Sequence, residues 1–316
     1  MDALGWGLVA PRLQYFQAVV QHGSIRRASQ ELAVAPSAIS RSIRQLEADM
    51  GVALFERIRQ RLRLTSAGEA LAHHARASQR ELTRACAFIG DLQGLRRGHV
   101  GIVAVESVSR SLLPTVLSTF WQRLPNVTVD IRIAGSQEAI EALADGECDL
   151  AIAFDVRVPR KSRRLATAHL GLGALVAPSH PAAAHVGGLR LRDFAAYPVL
   201  LADNSLTLGR LLEDATAQAG IALRTRAVST SLHSLLALAA GGHGVTFQTR
   251  VGVEEETTSG RLVFIPLLDR DIGTRHLSLL APAQGTLSEA PASLAVLLSA
   301  ALAEVDERTP ASGPAV

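Results

Sequence analysis

Two serines and two arginines lie at helical spacing in the stretch APSAISRSIRQLE, residues 35–47. Offsets of three, four and seven residues share one face of a helix, and the four residues are Ser37, Ser40, Arg41 and Arg44. Hydroxyl and guanidinium groups are donors that proteins use on DNA phosphates and base edges. An apolar stripe occupies the opposite face, at Ile39, Ile43 and Leu46. The stretch alone is equally compatible with a DNA-binding helix and with a solvated amphipathic helix.

The elements around this stretch favour DNA binding. Apolar spacing predicts a first helix that ends at His22-Gly23, and Ser24 can cap a second helix. Ala33-Val34-Ala35 is a tight connection, and Pro36 suits the first turn of a third helix, where its missing N–H costs nothing. Two short helices joined by about three residues are typical of a helix-turn-helix, whose second helix enters the major groove. We therefore predict that the serine and arginine face contacts DNA.

Arginines alternate with other residues in FERIRQRLRLTSAG, residues 55–68. Period two predicts a strand or β-ribbon with basic side chains on one face. The alternating residues are Arg57, Arg59, Arg61 and Arg63. Next to a helix-turn-helix, such a ribbon fits a wing that contacts phosphate or the minor groove, and Arg57, Arg59 and Arg61 are the predicted contacts. A solvated edge strand, which often carries charge, is the alternative.

The charge of the chain is unevenly distributed. The first 100 residues carry 14 arginines and 8 acidic residues, whereas the remainder carries 18 basic and 21 acidic residues. A basic segment attached to an acidic body predicts a polyanion-binding head on a body with another task.

Several classes of protein do not fit the sequence. Cys86 and Cys148 are too few for a disulfide framework and have no metal-type spacing. The motifs G-x-S-x-G, G-x-G-x-x-G, H-E-x-x-H and the P-loop are absent, which argues against an enzyme. The first residues lack a signal-peptide pattern, and no run of 18 uncharged apolar residues occurs. We expect a cytoplasmic protein with no cofactor, no metal and no membrane partner.

Residues 13–71 resemble, without a gap, the N-terminal domain of LysR-type transcriptional regulators. The resemblance rests on the Ser40-Arg41 pair and on the motifs I-R-Q-L-E, G-V-x-L-F-E-R and L-T-x-A-G. The family often has a polar residue at 35 and Gln at 36, whereas this chain has Ala35 and Pro36. Since proline cannot supply a glutamine-type base contact, sequence preference would depend on the other polar residues of the helix and on the wing.

A long helix is predicted after the wing. Ser66-Ala67-Gly68-Glu69 has the form of a capping box, which predicts the start of the helix. Heptad spacing then joins Leu71, Ala75, Ser78, Leu82, Ala85, Ile89 and Leu92. The pattern predicts a coiled coil between two subunits, with packing on the chain's own body as the alternative, and Gly94 and Gly98 as a hinge. The resemblance implies a dimer, usually assembled as a dimer of dimers (a homotetramer), and a symmetric dimer would bind an interrupted inverted repeat.

Apolar runs alternate with helical stretches in the last two thirds of the chain. The runs are 99–107, 127–136, 149–154, 174–178, 198–202, 244–248 and 276–282. This alternation predicts an open α/β sheet, which binds ligands at the carboxyl ends of its strands. Small polar residues follow the strands there, including Ser107, Ser109 and Ser136. As helix caps they would be structural, but together with helix N–H groups they could hold a carboxylate or another anion.

This part of the chain also resembles the effector-binding domain of the same family, through the motifs LADGECDLAI and LAAGGHGVTF. The resemblance implies a periplasmic-binding-protein-like α/β fold with two subdomains. Positions that resemble the family's ligand contacts are Ser107, Ser136 and Thr230, with Asn204 and Phe247 as looser candidates.

The complete prediction is a LysR-type, sequence-specific DNA-binding regulator. We predict a winged helix-turn-helix domain (1–67), a linker and dimerisation helix (68–97), an effector-binding domain (98–305) and a disordered tail (306–316). Subdomain I would comprise about 98–170 and 275–305, and subdomain II about 171–274. A small-molecule effector, with anions among the candidates, would bind in the cleft. A non-specific architectural DNA-binding protein is the alternative. The sequence identifies neither the effector, the operator, the target genes nor the direction of regulation.

Overall fold

A computed structural model describes residues 10–58, 61–92, 98–185, 187–269 and 272–307. The chain divides into two compact units, Met1–Leu95 and Arg96–Val316. The described elements of the first unit are α1 Pro11–His22, α2 Ile25–Leu32, α3 Pro36–Met50, β1 Phe55–Ile58, β2 Arg61–Leu64 and α4 Ser66–Leu92.

The described part of the second unit is a series of strands and helices. In chain order they are β3 His99–Ala104, α5 Glu106–Arg110, α6 Leu112–Arg123, β4 Thr128–Ile133, α7 Ser136–Ala144, β5 Leu150–Phe154, β6 Ser162–Val176, β7 Pro198–Ala202, α8 Thr207–Ala219, β8 Arg224–Ser229, α9 Leu232–Ala240, β9 Thr246–Thr249, α10 Glu254–Thr258, β10 Val263–Pro266, β11 Thr274–Pro282 and α11 Glu289–Glu307. The α/β class predicted from the sequence is confirmed.

The helix-turn-helix forms at the predicted positions. Gly23 ends α1 in the left-handed conformation, at φ 60°. The Ser24 hydroxyl caps α2 by accepting a hydrogen bond from the Arg27 N–H. Ala33 takes a left-handed conformation, with φ 51°, in the turn between the two helices. Pro36 then occupies the first turn of α3, as its lack of an N–H favours.

The wing is held to α3 by a carboxylate that the sequence analysis did not single out. Glu47 Oε1 accepts hydrogen bonds from the backbone N–H groups of Leu54, at 2.8 Å, and Phe55, at 3.2 Å. The Phe55 ring also packs against Phe16 of α1, with ring centroids 5.3 Å apart. The base of the wing is therefore fixed to the helices by both polar and aromatic contacts.

The wing is a β-hairpin, but its arginine positions do not share one face. In the antiparallel register, position 57 stands opposite Leu62, and Glu56 stands opposite Arg63. Opposed residues share a face and successive pairs alternate faces, so positions 57 and 63 lie on opposite faces. The expected single basic face is therefore wrong. Alternate residues share a face only along a single strand. The hairpin pairs position 58 with position 61, so odd-numbered positions of β1 and β2 lie on opposite faces.

The linker helix starts with a different cap from the one predicted. Thr65, rather than Ser66, is the capping residue, because Thr65 Oγ1 accepts a hydrogen bond from the Gly68 N–H at 3.1 Å. The same hydroxyl donates to the Ala53 carbonyl at 2.7 Å, which connects the start of α4 to the segment before the wing. The capping box based on Ser66 and Glu69 is thus wrong by one residue.

The main sheet of the second unit is mixed. Strand β3 pairs in parallel with β4 and β5, whereas β11 is antiparallel to both β5 and β6. Strand β6 continues into antiparallel pairing with β9 and β10, and β7 and β8 form a separate parallel pair. The carboxyl ends of β3, β4, β7 and β8 each lead into a helix. These strand ends are where the sequence predicted a crevice.

Two hydrophobic cores meet along β6. Leu170 belongs to the core that contains β3, β5, β11, α6 and α11, whereas Leu172 belongs to the core under α8 and α9. A further core lies under α7, against β3, β5 and β11, and belongs with the first of these two parts. The sequence analysis predicted only 174–178 as a strand here and did not predict β8 or β10. Strand β8 has four exposed residues of six, so it lacks an apolar run. We refer to these two parts of the second unit as the first half and the second half.

The C-terminal tail and the two hinge glycines predicted from the sequence are only partly covered by the described residues. Helix α11 continues to Glu307, so residues 306 and 307 are helical rather than part of a tail, and 308–316 lie outside the described residues. Gly94 also lies outside them. Gly98 packs closely, since a Cβ there would lie 2.8 Å from the Ala290 Cβ. None of the helices in the described ranges is long and apolar enough to cross a lipid bilayer.

We predict that Gly68→Ala destabilises the first unit by about 1–3 kcal/mol, the usual cost of overpacking. The new Cβ would lie 2.0 Å from the Leu54 carbonyl oxygen, although alanine is the better helix former. Urea unfolding followed by circular dichroism measures the change. Ser66→Ala, at an exposed position two residues away, is the control and should have almost no effect. An unchanged urea midpoint for Gly68→Ala would contradict the close contact.

Candidate DNA-binding face and effector cleft

Helix α3 separates a buried apolar stripe from an exposed polar face. Ile39 is 0% exposed and Ile43 is 6% exposed, and both pack in the core of the first unit. Ser37, Arg41 and Arg44 are exposed, and Ser40 is half-buried. The Arg44 Nε lies 3.4 Å from the Ser40 carbonyl, to which it donates. The helix thus presents two guanidinium groups and two hydroxyls together, which are donors that proteins use on DNA phosphates and base edges.

The wing arginines are only partly described. Arg59 lies outside the described residues, as do the side chains of Arg57 and Arg61. Their backbone positions lie in or beside the hairpin that Glu47 fixes to α3. The predicted DNA contacts of Arg57, Arg59 and Arg61 therefore remain predictions.

A cavity of about 500 Å³ lies at the carboxyl ends of the parallel strands in the second unit. Its walls come from the segments that follow β3, β4, β7 and β8, together with the ends of β5 and β9 and the start of β11. Both halves of the unit thus contribute to it. This is the location that open α/β sheets use for ligands.

Arg275 is the buried cation of this cavity. It is 3% exposed, and its Nε donates to Asp155 Oδ2 at 2.6 Å, while its Nη2 donates to Thr207 Oγ1 at 2.8 Å. The guanidinium carbon lies 4.5 Å from the centre of the Phe154 ring. Burial lowers the pKa of the Arg275 guanidinium from its usual value, and the attraction and hydrogen bond of Asp155 oppose that change.

Asp155 holds this arrangement in an unusual backbone conformation. Its φ is 50°, a left-handed value that aspartate tolerates better than most residues. Its second oxygen, Oδ1, accepts a hydrogen bond from the His276 N–H at 2.8 Å. One carboxylate therefore binds both the guanidinium and the backbone at the start of β11.

Three of the predicted effector residues line the cavity: Ser107, Ser136 and Thr230. Ser136 Oγ is already used, since it accepts a hydrogen bond from the Phe154 N–H at 3.0 Å. Ser107 is 2% exposed, and within the described part of the chain its hydroxyl has no hydrogen-bond partner. Because buried polar groups are nearly always paired, the Ser107 hydroxyl is suited to a ligand.

Three other predicted residues are not among the described residues that line this cavity. The Ser109 hydroxyl donates to the Glu106 carbonyl at 2.7 Å, within its own helix. Asn204 is exposed and its Nδ2 donates to Glu213 Oε2 at 2.7 Å. Phe247 is 1% exposed and packs against Phe194 in the core of the second half. Local hydrogen bonds or core packing engage these three side chains, and their assignment as effector contacts stays a prediction.

The cavity contains polar residues that the sequence analysis missed. Gln248 follows Phe247 on β9 and lines the cavity because successive strand residues point to opposite faces. Gln248 is 3% exposed, and its Oε1 is also without a partner in the described ranges. Thr207 and Arg275 were missed as well. The available signal for Arg275 was a single charge directly before the apolar run of 276–282.

Two models of protein families match the chain. The model "LysR substrate binding domain" matches residues 93–303, and "Bacterial regulatory helix-turn-helix protein, lysR family" matches residues 11–69. Two curated relatives are transcriptional regulators. A probable nitrogen assimilation transcriptional activator of Synechococcus elongatus is 28% identical over 277 residues, 86% of this chain and 89% of the relative. A RuBisCO operon transcriptional regulator of Acidithiobacillus ferrooxidans is 30% identical over 256 residues, 80% of this chain and 82% of the relative.

Solved structures share the fold over nearly the whole chain. CbnR, a LysR family transcriptional regulator, aligns with a TM-score of 0.67 at 20% identity, covering 92% of this chain and 98% of that one. Full-length CbnR in complex with its target DNA aligns with a TM-score of 0.65 at 22% identity, covering 94% and 98%. A full-length OxyR variant from Pseudomonas aeruginosa aligns with a TM-score of 0.68 at 18% identity, covering 99% of both chains.

Removal of the Asp155 carboxylate should leave a buried cation without its partner. We expect Asp155→Asn to lower the free energy of unfolding by about 2–3 kcal/mol, less than for a fully buried pair because the Asp155 side chain is 31% exposed. Urea unfolding gives the value. Asp306→Asn, which alters an exposed carboxylate beside His169, is the matched control and should cost about 0–1 kcal/mol. If both variants lose the same stability, Arg275 does not depend on Asp155.

Proposed function

The chain belongs to the LysR family of transcriptional regulators, and we propose that it binds an interrupted inverted repeat through α3 and responds to a small molecule in the cleft of its second unit. Family membership means that it is a DNA-binding regulator with an effector-binding domain, and not an enzyme. A purely architectural DNA-binding protein is not favoured, since such a protein has no need of an effector domain.

The proposal for DNA rests on one observation: the cationic face of α3 is exposed while its apolar stripe is buried. We assign DNA contacts to Ser37, Ser40, Arg41 and Arg44. We further propose that Arg57, Arg59 and Arg61 of the wing contact phosphate or the minor groove. Pro36 offers no N–H and no polar side chain, so base recognition would depend on the residues that follow it in α3 and on the wing.

We propose that α4 joins two subunits. In the chain alone, Ile89 is 54% exposed, and Ser78 and Ala85 on the same heptad stripe are also exposed. An apolar heptad stripe on an exposed helix is suited to pairing with a second copy. Two copies related by a twofold axis would present two α3 helices to the half-sites of an inverted repeat. A dimer of such dimers, a homotetramer located in the cytoplasm, completes the proposal.

The effector site that we propose is the cavity around Arg275. Ser136 begins α7 in the first half and Thr207 begins α8 in the second half, and their hydroxyl oxygens lie 3.5 Å apart. Arg275 donates to Thr207 beside them. Helix N-termini and a guanidinium both favour an anionic or hydrogen-bond-accepting group. We call Ser136, Phe154, Thr207 and Arg275 the Arg275 cluster and propose that it binds such a group of the effector.

Binding at this cluster would involve both halves at once, because α7 and α8 belong to different cores. A ligand that contacts both halves favours the arrangement in which they are close together. We propose that this change is the response that controls DNA binding. The proposal keeps the predicted organisation of the chain, with the first half near 98–170 and 275–305 and the second near 171–274.

Arg41→Ala should weaken operator binding and relax sequence preference by about 1–3 kcal/mol if Arg41 contacts a base. In-vitro selection of duplexes from a random pool, at physiological salt, measures both properties. Arg123→Ala, which removes the same charge from the second unit, is the control and should select the same inverted repeat as the wild type. A uniform loss of affinity with a shallower salt dependence would assign Arg41 to phosphate. Selection without any enriched repeat in the wild type would contradict sequence-specific binding.

An effector found by screening small molecules for a rise in melting temperature should lose most of its effect in Ser107→Ala. Ser107 lines the cavity, and its buried hydroxyl has no partner among the described residues, so its loss would remove a ligand contact rather than a structural bond. We expect a loss of affinity of about tenfold by titration calorimetry. Asn204→Ala, outside the cavity, should bind as the wild type does. Equal affinities for Ser107→Ala and the wild type would place the effector elsewhere.

A further inference from the structure

A carboxylate of the first half occupies the start of a helix in the second half. Glu106 begins α5, directly after β3, and its side chain reaches the first residues of α9. Its Oε2 accepts a hydrogen bond from the Leu232 N–H at 2.8 Å, and its Oε1 accepts from the His233 N–H at 2.9 Å. The Ser231 hydroxyl also donates to Oε1, at 3.2 Å. These three bonds join two elements that pack in different cores.

The contact satisfies the amides at the start of α9. The N–H of Ser234 donates to Ser231 Oγ at 3.3 Å, and the N–H of Leu235 donates to the Ser231 carbonyl at 3.4 Å. The first two amides, of Leu232 and His233, are the ones that Glu106 accepts. The start of a nine-residue helix normally attracts an anion, because its N–H groups and dipole point outward. Here the chain supplies that anion itself.

Other contacts fix α5 in this position. Arg110, one helical turn after Glu106, forms an ion pair with Glu256 of α10. Gly252, with φ 86°, lies so close to α5 that a Cβ would be 2.5 Å from the Ser107 carbonyl oxygen. The Gly252 N–H also donates to Ser111 Oγ at 3.2 Å. Helix α5 is therefore attached along its length to the segments around α9 and α10, which keeps Glu106 in register with α9.

The charges of the cavity support the same assignment. Three glutamates line it, Glu106, Glu138 and Glu141, and Arg275 is the cation that lines it among the described residues. Arg275 is paired with Asp155. Strand β5 lies between β3, which leads to Glu106, and β11, which carries Arg275, so Glu106 and Arg275 reach the cavity from strands that are not neighbours in the sheet.

We propose that Glu106 is a built-in anion that occupies the N-terminus of α9, so that the effector binds beside it with a hydrogen-bond donor and not with a carboxylate. This inference rests on the proposed effector cleft and adds the chemical class of one end of the ligand. Ser107, the next residue, also lines the cavity, and its buried hydroxyl has no partner in the part of the chain that the structure describes. An anionic group of the effector is then confined to the Arg275 cluster. A hydroxyl or a protonated amine matches the end of the ligand next to Glu106.

The test removes the Glu106 carboxylate from the start of α9 by mutation and adds acetate as a free carboxylate. Hydrogen exchange of the full chain, read by mass spectrometry on a peptide covering 230–236, reports the Leu232 and His233 amides. We expect Glu106→Ala to exchange about tenfold faster there than the wild type, because two charge-assisted hydrogen bonds are lost. Sodium acetate should restore protection in Glu106→Ala, relative to sodium chloride at equal ionic strength. The wild type should show no effect of acetate on this peptide.

A matched control distinguishes the loss of the Glu106 hydrogen bonds from a change in the net charge of the cavity. Glu138→Ala removes another exposed carboxylate that lines the same cavity. It should leave the exchange of peptide 230–236 unchanged, with or without acetate. If Glu106→Ala does not fold, Glu106→Gln keeps the side-chain volume and one accepting oxygen. That variant should exchange faster than the wild type but should gain nothing from acetate, because the site remains filled.

Three outcomes for hydrogen exchange of peptide 230–236 would overturn the proposal. The first is unchanged exchange in both Glu106 variants, and the second is equal protection by acetate in the wild type and in Glu106→Ala. The third is faster exchange in Glu106→Ala that acetate does not reverse. None of them depends on a known effector. The loss of an effector response in Ser107→Ala tests the proposed cleft separately, so each proposal can fail while the other stands.

Discussion

The second unit depends on a buried guanidinium that must keep its carboxylate. Arg275 is 3% exposed, and an unpaired charge at that depth would cost several kcal/mol. Asp155 meets this requirement from the end of β5, and the same carboxylate accepts the backbone N–H of His276. Thr207 takes the other side of the guanidinium at the start of α8. Two strands of the first half and a helix of the second are thus held together where a ligand would bind.

The Arg275 cluster and the contact of Glu106 with α9 both join the two halves across the cleft. They differ in the hydrogen-bonding groups that they leave available to a ligand. At the Arg275 cluster, the starts of α7 and α8 converge on a guanidinium, which suits a hydrogen-bond acceptor. At the start of α9, the Glu106 carboxylate already accepts the Leu232 and His233 amides. A cleft with these two properties would favour a ligand that has a hydrogen-bond acceptor at one end and a donor at the other, in addition to selecting by size. The hydrogen bonds of Glu106 also join the two halves of the second unit directly.

Much of the helical architecture could be predicted because caps and turns are local. Gly23, Ser24 and Pro36 act within a few residues of their own positions, and each has the predicted role. The predictions that differ from the structure include those that assigned side chains to one face of a strand. The apolar run 244–248 identified β9 but not which of Phe247 and Gln248 faces the cleft, since that choice depends on the core behind the strand. The prediction of a single basic face on the wing was wrong for the same reason. The chain reverses direction between β1 and β2, so residues that alternate along the sequence do not stay on one face of the hairpin.

The serines show why residue type alone could not define the site. Ser109, Ser136 and Ser231 all have hydroxyls engaged with the chain itself: Ser109 donates to a helix carbonyl, Ser136 accepts from a strand amide, and Ser231 caps α9 and donates to Glu106. Ser107 has the same chemistry and lies only two residues from Ser109, yet its hydroxyl is buried and unpaired within the described chain. The difference depends on partners from distant parts of the sequence, such as Phe154 for Ser136. Since an unsatisfied buried hydroxyl costs free energy unless a partner pairs with it, the position of Ser107 in the cavity wall supports its proposed role in effector binding.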